Sequence, residues 1–224
     1  LKTVVITGAS KGIGFELCKK FLQNGHYVVA VSRTTNSLLA LKYPNLRCIQ
    51  LDLNNLSTEN VPEGLKDLTQ VDILINNAGA IINKPFQEIT QEDLTRVYQT
   101  NVFSIFSIIQ VLFPKLSVAP NAHIVNISSM GGFQGASKFA GLSAYSSSKA
   151  AVSCLTECLA EEFKETNIKV NALCLGAVNT EMLQNAFPGY VANTSAEQMA
   201  DYIHDFANKS HQYYNGKVLP VSNS

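Results

Sequence analysis

The sequence lacks an excess of charge of either sign: 17 Lys and Arg stand against 17 Asp and Glu, for a formal net charge of +0. Without a basic run, nucleic acid and anionic membranes are poor partners, because both are held mainly by clustered cations. Also missing is any C-x-x-C pair among the five cysteines, Cys18, Cys48, Cys154, Cys158 and Cys174. An odd count without that spacing argues against a disulfide framework, and no metal is expected. Most of these thiols fall at apolar-pattern positions, so they are expected to be buried, in a reducing, cytoplasmic compartment. No apolar run is read as long enough to span a bilayer. The first apolar run leads straight into a Gly-rich turn, so no secretory signal is expected at the start. Linkers, repeats and low-complexity segments are absent too, and with 46% of the sequence hydrophobic, residues 1–224 are expected to form one domain with a sizeable core.

What is there alternates between strand and helix. Short β-branched or apolar runs at residues 3–8, 27–32, 47–53, 71–79, 123–129, 168–176 and 216–222 read as strands. Helical patterns fill the intervals at about residues 12–24, 91–116, 144–165 and 195–207. Several strand runs are almost continuously apolar, as strands covered on both faces should be. Alternation with helices of crossover length predicts an α/β fold, a doubly wound parallel sheet of about seven strands flanked by helices on both faces. Such a sheet places its functional crevice at the carboxyl ends of the strands.

"TGASKGIG", residues 7–14, joins the first strand to the first helix, where the pyrophosphate of a dinucleotide rests in such folds. Gly8, Gly12 and Gly14 suit a tight turn, close approach to phosphate and close helix–strand packing. The second strand ends in Ser32 and Arg33, with no acidic residue to hold a ribose 2′-hydroxyl. A guanidinium there, with Lys11 in the turn as a second cation, favours NADP(H) over NAD(H).

"SAYSSSKAAV", residues 143–152, is an odd way to begin a helix, since serine prefers caps and turns. Within it Tyr145 and Lys149 stand four apart, one turn along one helix face. An ammonium near a tyrosine stabilises the phenolate and lowers its pKa from about 10, toward the range useful for general acid–base work. The spacing alone is weak, and Tyr213 and Lys217 repeat it across the turn signal Asn215-Gly216.

Taken in order, "TGASKGIG", "NNAG" (76–79), Asn101, "ISS" (127–129) and "YSSSK" (145–149) resemble the short-chain dehydrogenase/reductase family across nearly the whole chain. The resemblance implies a single-domain Rossmann fold and hydride transfer between nicotinamide and a ketone, aldehyde or secondary alcohol. It makes Tyr145 the acid/base, with Lys149 lowering its pKa and holding the nicotinamide ribose. Ser129 would hold the substrate oxygen and Asn101 a water that relays protons from Lys149. The cofactor contacts it implies are Gly8, Ser10, Lys11, Gly12, Ile13 and Gly14 in the turn, then Ser32 and Arg33, then Asp52 and Leu53 at the adenine. Asn77, Ala78 and Gly79 follow on the adenosine side, and Gly176, Val178 and Thr180 at the carboxamide end. The small residues around Tyr145 and Lys149 would let cofactor and a neighbouring subunit's helix come close, in a homodimer or homotetramer.

The sequence departs from the family pattern in three places. Leu175-Gly176 replaces Pro-Gly, the segment from Ser129 to Tyr145 is a few residues long, and the lid region 181–194 is short. Phe133, Phe139 and Leu142 are expected at the substrate entrance, and Met182, Leu183, Phe187, Pro188 and Tyr190 make the lid apolar. The tail "VSNS", residues 221–224, stops where many relatives continue. An NADPH-dependent carbonyl reductase is therefore expected, with a non-catalytic NADP(H)-sensing regulator as the alternative on the same fold.

Overall fold

Val, Ile and Leu runs buried on both faces set the strands of a computed structural model that describes residues 1–222; the last two residues of the tail lie outside it. The strands are β1 (Thr3–Thr7), β2 (Tyr27–Ser32), β3 (Leu46–Gln50), β4 (Ile73–Asn76), β5 (Ala122–Ser129), β6 (Ile168–Leu175), β7 (Val178–Asn179), β8 (Thr194–Ser195) and β9 (Val218–Val221). Seven of them form one parallel sheet in the order β3-β2-β1-β4-β5-β6-β9. The helices are α1 (Gly12–Gln23), α2 (Asn36–Leu39), α3 (Glu63–Lys66), α4 (Gln91–Tyr98), α5 (Ser104–Ser117), α6 (Ser143–Glu162), α7 (Glu181–Ala186) and α8 (Ala196–Lys209). This is the doubly wound Rossmann architecture that the alternation implied.

Successive strand residues point to opposite faces, so each strand feeds two cores. Val5, Val29, Ile124 and Val170 meet Ile108 and Leu112 of α5 and Val152 and Leu155 of α6. Val4, Ile6, Val28 and Leu173 meet Leu17 and Phe21 of α1 and Met199 and Ile203 of α8. Each such fully buried aliphatic side chain contributes about 1.5–3 kcal/mol. The strand order reverses between β1 and β4, which opens a crevice at their carboxyl ends.

Several expectations need correcting. β3 stops at Gln50, because Asp52 turns the chain by accepting a hydrogen bond from the Asn54 N–H, at 3.0 Å, as the cap of a short 3₁₀ helix. The "NAG" of the fourth run leaves the sheet after Asn76. A π turn, Gln99–Phe103, joins α4 to α5 and carries Asn101 at its centre. Gln91–Ser117 contains an 18-residue stretch apolar enough, by length and composition alone, to cross a bilayer. Its apolar side chains Ile105, Ile108, Ile109, Leu112 and Leu116 are spent on the sheet instead. The two-residue strands β7 and β8 were not foreseen; they pair with each other, Val178 opposite Thr194, and hold the lid's two ends together.

The cysteines also differ from expectation. Cys18 and Cys174 are buried, Cys48 is partly so, and Cys154 and Cys158 are exposed on α6. Leu155 and Leu159 occupy the inward positions of that helix. Small residues fit the apolar spacing without being drawn inward by it.

Candidate active site

Three elements, β5, α6 and the π turn, bring the expected catalytic side chains together at the carboxyl end of β5. Ser129 ends the strand, and its Oγ accepts from the Gly131 N–H at 3.1 Å, fixing the turn that follows. That turn lies directly on α6: a methyl at Gly132 would come within 2.5 Å of the Lys149 carbonyl carbon. Tyr145 is half-buried on the first turn of α6, near enough to Ser129 for that hydroxyl to act on its phenol. One turn on, Lys149 is buried, and its Nζ donates to the Ile127 carbonyl at 2.8 Å.

The electrostatics differ from the sequence expectation. Burial pushes the Tyr145 phenol up, and the Ser129 hydrogen bond is the force opposing it. Lys149 Nζ lies 5.9 Å from the centroid of the Tyr145 ring and directs one of its three N–H groups to the Ile127 carbonyl. Burial brings Lys149 itself down to about 8, against a smaller upward effect from Cys174.

Asn101 is fully buried and its amide is occupied. Its Oδ1 accepts from the Ala80 N–H at 2.7 Å, and its Nδ2 donates to the Ala80 carbonyl at 2.9 Å and to Ser148 Oγ at 2.8 Å. The side chain thus pins the π turn to the segment after β4 and to α6. A methyl on Gly79 would meet Asn101 Oδ1 at 3.5 Å, Lys149 Nζ at 3.6 Å and Met182 Cε at 3.9 Å, which puts Met182 beside Asn101 and Lys149.

The serines of α6 now have a use that the sequence did not reveal. Ser147 Oγ accepts from Tyr98 Oη at 2.9 Å, and Ser148 Oγ donates to the Tyr145 carbonyl at 2.7 Å while receiving Asn101. They are polar joints from the Tyr-bearing turn to the end of α4 and to the π turn, and helix propensity is given up for them.

At the cofactor end, α1 begins without a side-chain cap and without an acidic residue in its first turn, so its leading N–H groups face the turn as an anion site. Gly14 must be glycine: a methyl there would overlap the Gly8 carbonyl oxygen and approach Asn77 Nδ2 to 2.6 Å. Asn77 clamps the turn by donating to the Thr7 and Gly8 carbonyls, both at 3.1 Å, and Ala78 N donates to Thr7 Oγ1. Beyond β2, Ser32 Oγ donates to Ser10 Oγ at 2.7 Å, with Thr34 and Ser37 also bonding Ser10 and Arg33 exposed beside them. Hydroxyls, a guanidinium and no carboxylate fit a phosphate. Asp52 and the buried Leu53 stand at the neighbouring strand end.

Lys11 is directed elsewhere than expected. Its Nζ pairs with Glu181 Oε2 at 2.6 Å, bridging the Gly-rich turn to the first turn of α7. Ile13 is only partly buried, beside Gly12, and a methyl on Gly12 would touch Thr180 Cγ2 at 3.3 Å. Thr180 caps α7, its Oγ1 accepting from Leu183 N, and Val178 is buried in β7. Gly176 donates its N–H to the Val221 carbonyl, which ties the end of β6 to β9.

Around the entrance Phe139 is 59% exposed and Met182 38% exposed, whereas Phe133 and Leu183 are partly covered. Leu142 turns inward as the residue preceding α6 and does not line the entrance. Asn83 Nδ2 donates to the Ala186 carbonyl and Lys84 N to the Gly141 carbonyl, so three loops meet over the crevice. Tyr213 and Lys217 lie outside any α-helix, as their turn signal indicated.

Comparison with known proteins agrees with this geometry. A family model described as short chain dehydrogenase matches residues 2–190. Carbonyl reductase (NADPH) 2 of Sus scrofa is 34% identical over 181 residues, 80% of this chain and 72% of that protein. Acetoacetyl-CoA reductase of Acinetobacter sp. (strain RA3849) is 32% identical over 192 residues, 81% of this chain and 76% of that one. Among solved structures, ElxO with NADP bound is similar at 29% identity and a TM-score of 0.84, covering 98% of this chain and 96% of that one. 4-Hydroxyisoleucine dehydrogenase complexed with NADH shares the fold, with a TM-score of 0.87 at 24% identity over 100% of this chain and 98% of the other.

Proposed function

The chain belongs to the short-chain dehydrogenase family, and on that premise we propose that it is an NADP(H)-dependent reductase of ketones or aldehydes, reversible as an alcohol dehydrogenase. The observation that carries the reading is the meeting of Ser129, Tyr145, Lys149 and Asn101 at one strand end, beside an uncapped helix N-terminus on a glycine turn. The cofactor, when bound, supplies or accepts the hydride. Ser129 orients the substrate oxygen and shares its hydrogen bond with Tyr145, which delivers the proton. Lys149 stands beneath with an ammonium that a small shift of Nζ brings toward the phenol. Asn101 keeps the π turn and α6 in register.

Preference for NADP(H) is supported by Ser10, Ser32 and Arg33 and by the absence of a carboxylate at the end of β2. The apolar Phe139, Met182 and Leu183 support a small-molecule substrate that is nonpolar near its carbonyl. The names of the relatives add β-keto thioesters to the candidates. We place the protein in the cytoplasm on the strength of its five free thiols, and as a homodimer or homotetramer on the exposed Phe103, Phe106 and Phe113 beside α6.

The test is NADPH oxidation by the wild type and Tyr145→Phe against aliphatic, aromatic and β-keto carbonyls, thioesters included. Turnover by the wild type and a loss of at least ~10²-fold in the variant is the expected outcome. Tight NADPH binding with no carbonyl reduced by either protein would favour the sensing regulator.

A further inference from the structure

The two serines of "ISS" have different destinations. Ser129 faces the crevice, while Ser128 lies beneath α6, 3% exposed, with its Oγ donating to the Lys149 carbonyl at 2.8 Å. Ser153 Oγ donates to the same carbonyl at 3.2 Å, and lies 3.2 Å from Ser128 Oγ and 3.7 Å from Cys174 Sγ. At its other end Lys149 donates from Nζ to the carbonyl of the preceding strand residue, Ile127. β5 therefore grips one lysine twice, at the backbone and at Nζ.

A second rung lies two residues down the strand. Asn126 Nδ2 donates to Thr156 Oγ1 at 2.9 Å, and Thr156 Oγ1 donates back to the Val152 carbonyl at 2.8 Å. Asn126, Ser128 and Thr156 are all buried, so they cannot exchange these partners for water. Apolar contacts tolerate a slide of α6 along the sheet, but buried hydrogen bonds do not, because a displaced helix leaves each donor without a partner and without water. Polar rungs placed under the turn that bears Lys149 fix its height to a fraction of a helical rise.

We propose that Ser128 is a positioning residue for Lys149: with Ser153 it sets the depth and register at which the lysine sits, and so the reach of its ammonium toward Tyr145 and the cofactor ribose. The inference rests on the proposed role of Lys149 in the reaction, but the placement itself is tested without cofactor. The titratable groups facing Lys149 among the described residues are Tyr145 on its own helix and the Cys174 thiol from β6; β5 presents only carbonyls and hydroxyls.

The experiment follows the lysine directly, by ¹³Cε-lysine NMR titration of the cofactor-free wild type, Ser128→Ala, Ser128→Thr and Ser153→Ala. Lys149→Met assigns the resonance. In the wild type Lys149 is expected to titrate well below the usual lysine range, at about 8. Ser128→Ala loosens the turn, hydrates Nζ and raises that titration, and the basic limb of the reductase pH profile moves with it while kcat falls about 10-fold. Ser128→Thr, which keeps the hydroxyl, restores both. Ser153→Ala, lacking the second donor to the same carbonyl, reads the same shift should Ser128→Ala fold poorly. Superimposable titrations in wild type, Ser128→Ala and Ser153→Ala overturn the proposal, as does a fully folded Ser128→Thr that behaves like Ser128→Ala. A shifted titration combined with full turnover by Lys149→Met leaves the positioning intact and overturns the catalytic reading of Lys149.

Discussion

Lys149 shows what a buried ammonium costs the fold. It is 4% exposed, and burial takes it from the usual lysine range down to about 8. The folded state thus holds that proton less tightly than the unfolded chain, so stability is withheld at neutral pH and regained as pH rises from about 8 toward the unfolded lysine value. A shift of this size corresponds to roughly 3 kcal/mol at most. Lys149→Met is therefore expected to be inactive yet more stable in urea at pH 7, the gain shrinking steadily as the solution is made alkaline; equal stability of the two proteins at neutral pH would contradict this. The residue types here were readable, since Tyr145, Lys149, Ser129 and Asn101 sit where their motifs put them. Their partners were not: that Lys149 would choose the Ile127 carbonyl, and Asn101 the backbone of Ala80, depends on groups 20 or so residues away.

At the scale of elements, α7 is the least regular part of the site and the one that sequence patterning described worst. It is six residues long, begins at a Thr180 cap and is tied to the Gly-rich turn by the pair Lys11–Glu181. Both side chains are about two-thirds exposed, 66% and 64%, so the pair contributes no more than ~1 kcal/mol and is screened by salt. Under the proposed NADP(H) preference, Glu181 competes with cofactor phosphate for Lys11. Glu181→Gln is expected to tighten NADPH binding about 2–5-fold at low ionic strength, an advantage lost at high salt, as fluorescence titration would report. Weaker binding would mean instead that the bridge holds the lid over the cofactor. Strand and helix existence was plain from periodicity. The π turn at Asn101 was not, since one extra residue in a helix leaves the apolar pattern on both sides almost undisturbed.

Across the whole molecule the histidines are segregated from the chemistry. His26, His123, His204 and His211 lie toward the amino ends of the strands, with Phe21 between His26 and His204 and the His123 and His211 rings 5.6 Å apart. All four are held below the usual imidazole range, first by burial. His123, fully buried, is brought down to about 4; its Nδ1–H donates to the Ala207 carbonyl and its Nε2 accepts from Asn171, which joins β5, β6 and α8. Because the folded form resists protonation, this stabilisation is complete above pH ~6.5 and is lost as pH falls toward 4. His123→Gln should flatten the acid limb of a stability–pH curve by about one proton, even if it lowers stability at pH 7. An unchanged slope would show that His123 is not the group that titrates.

The sequence by itself determined the sheet, the cofactor turn and the family, because each is written in local periods and spacings: continuous apolar runs, "TGASKGIG", and a tyrosine and lysine one turn apart. Tertiary structure alone decided which way the polar groups pair. Ser128 and Ser129 are neighbours in sequence, yet one supports the lysine's backbone and the other meets the tyrosine, since alternate strand residues face opposite sides and only the packed helix supplies a partner for each. The exposed Cys154 and Cys158, the inward Leu142 and the Lys11–Glu181 bridge were decided in the same way, by what each side chain found across the fold and not by its place along the chain.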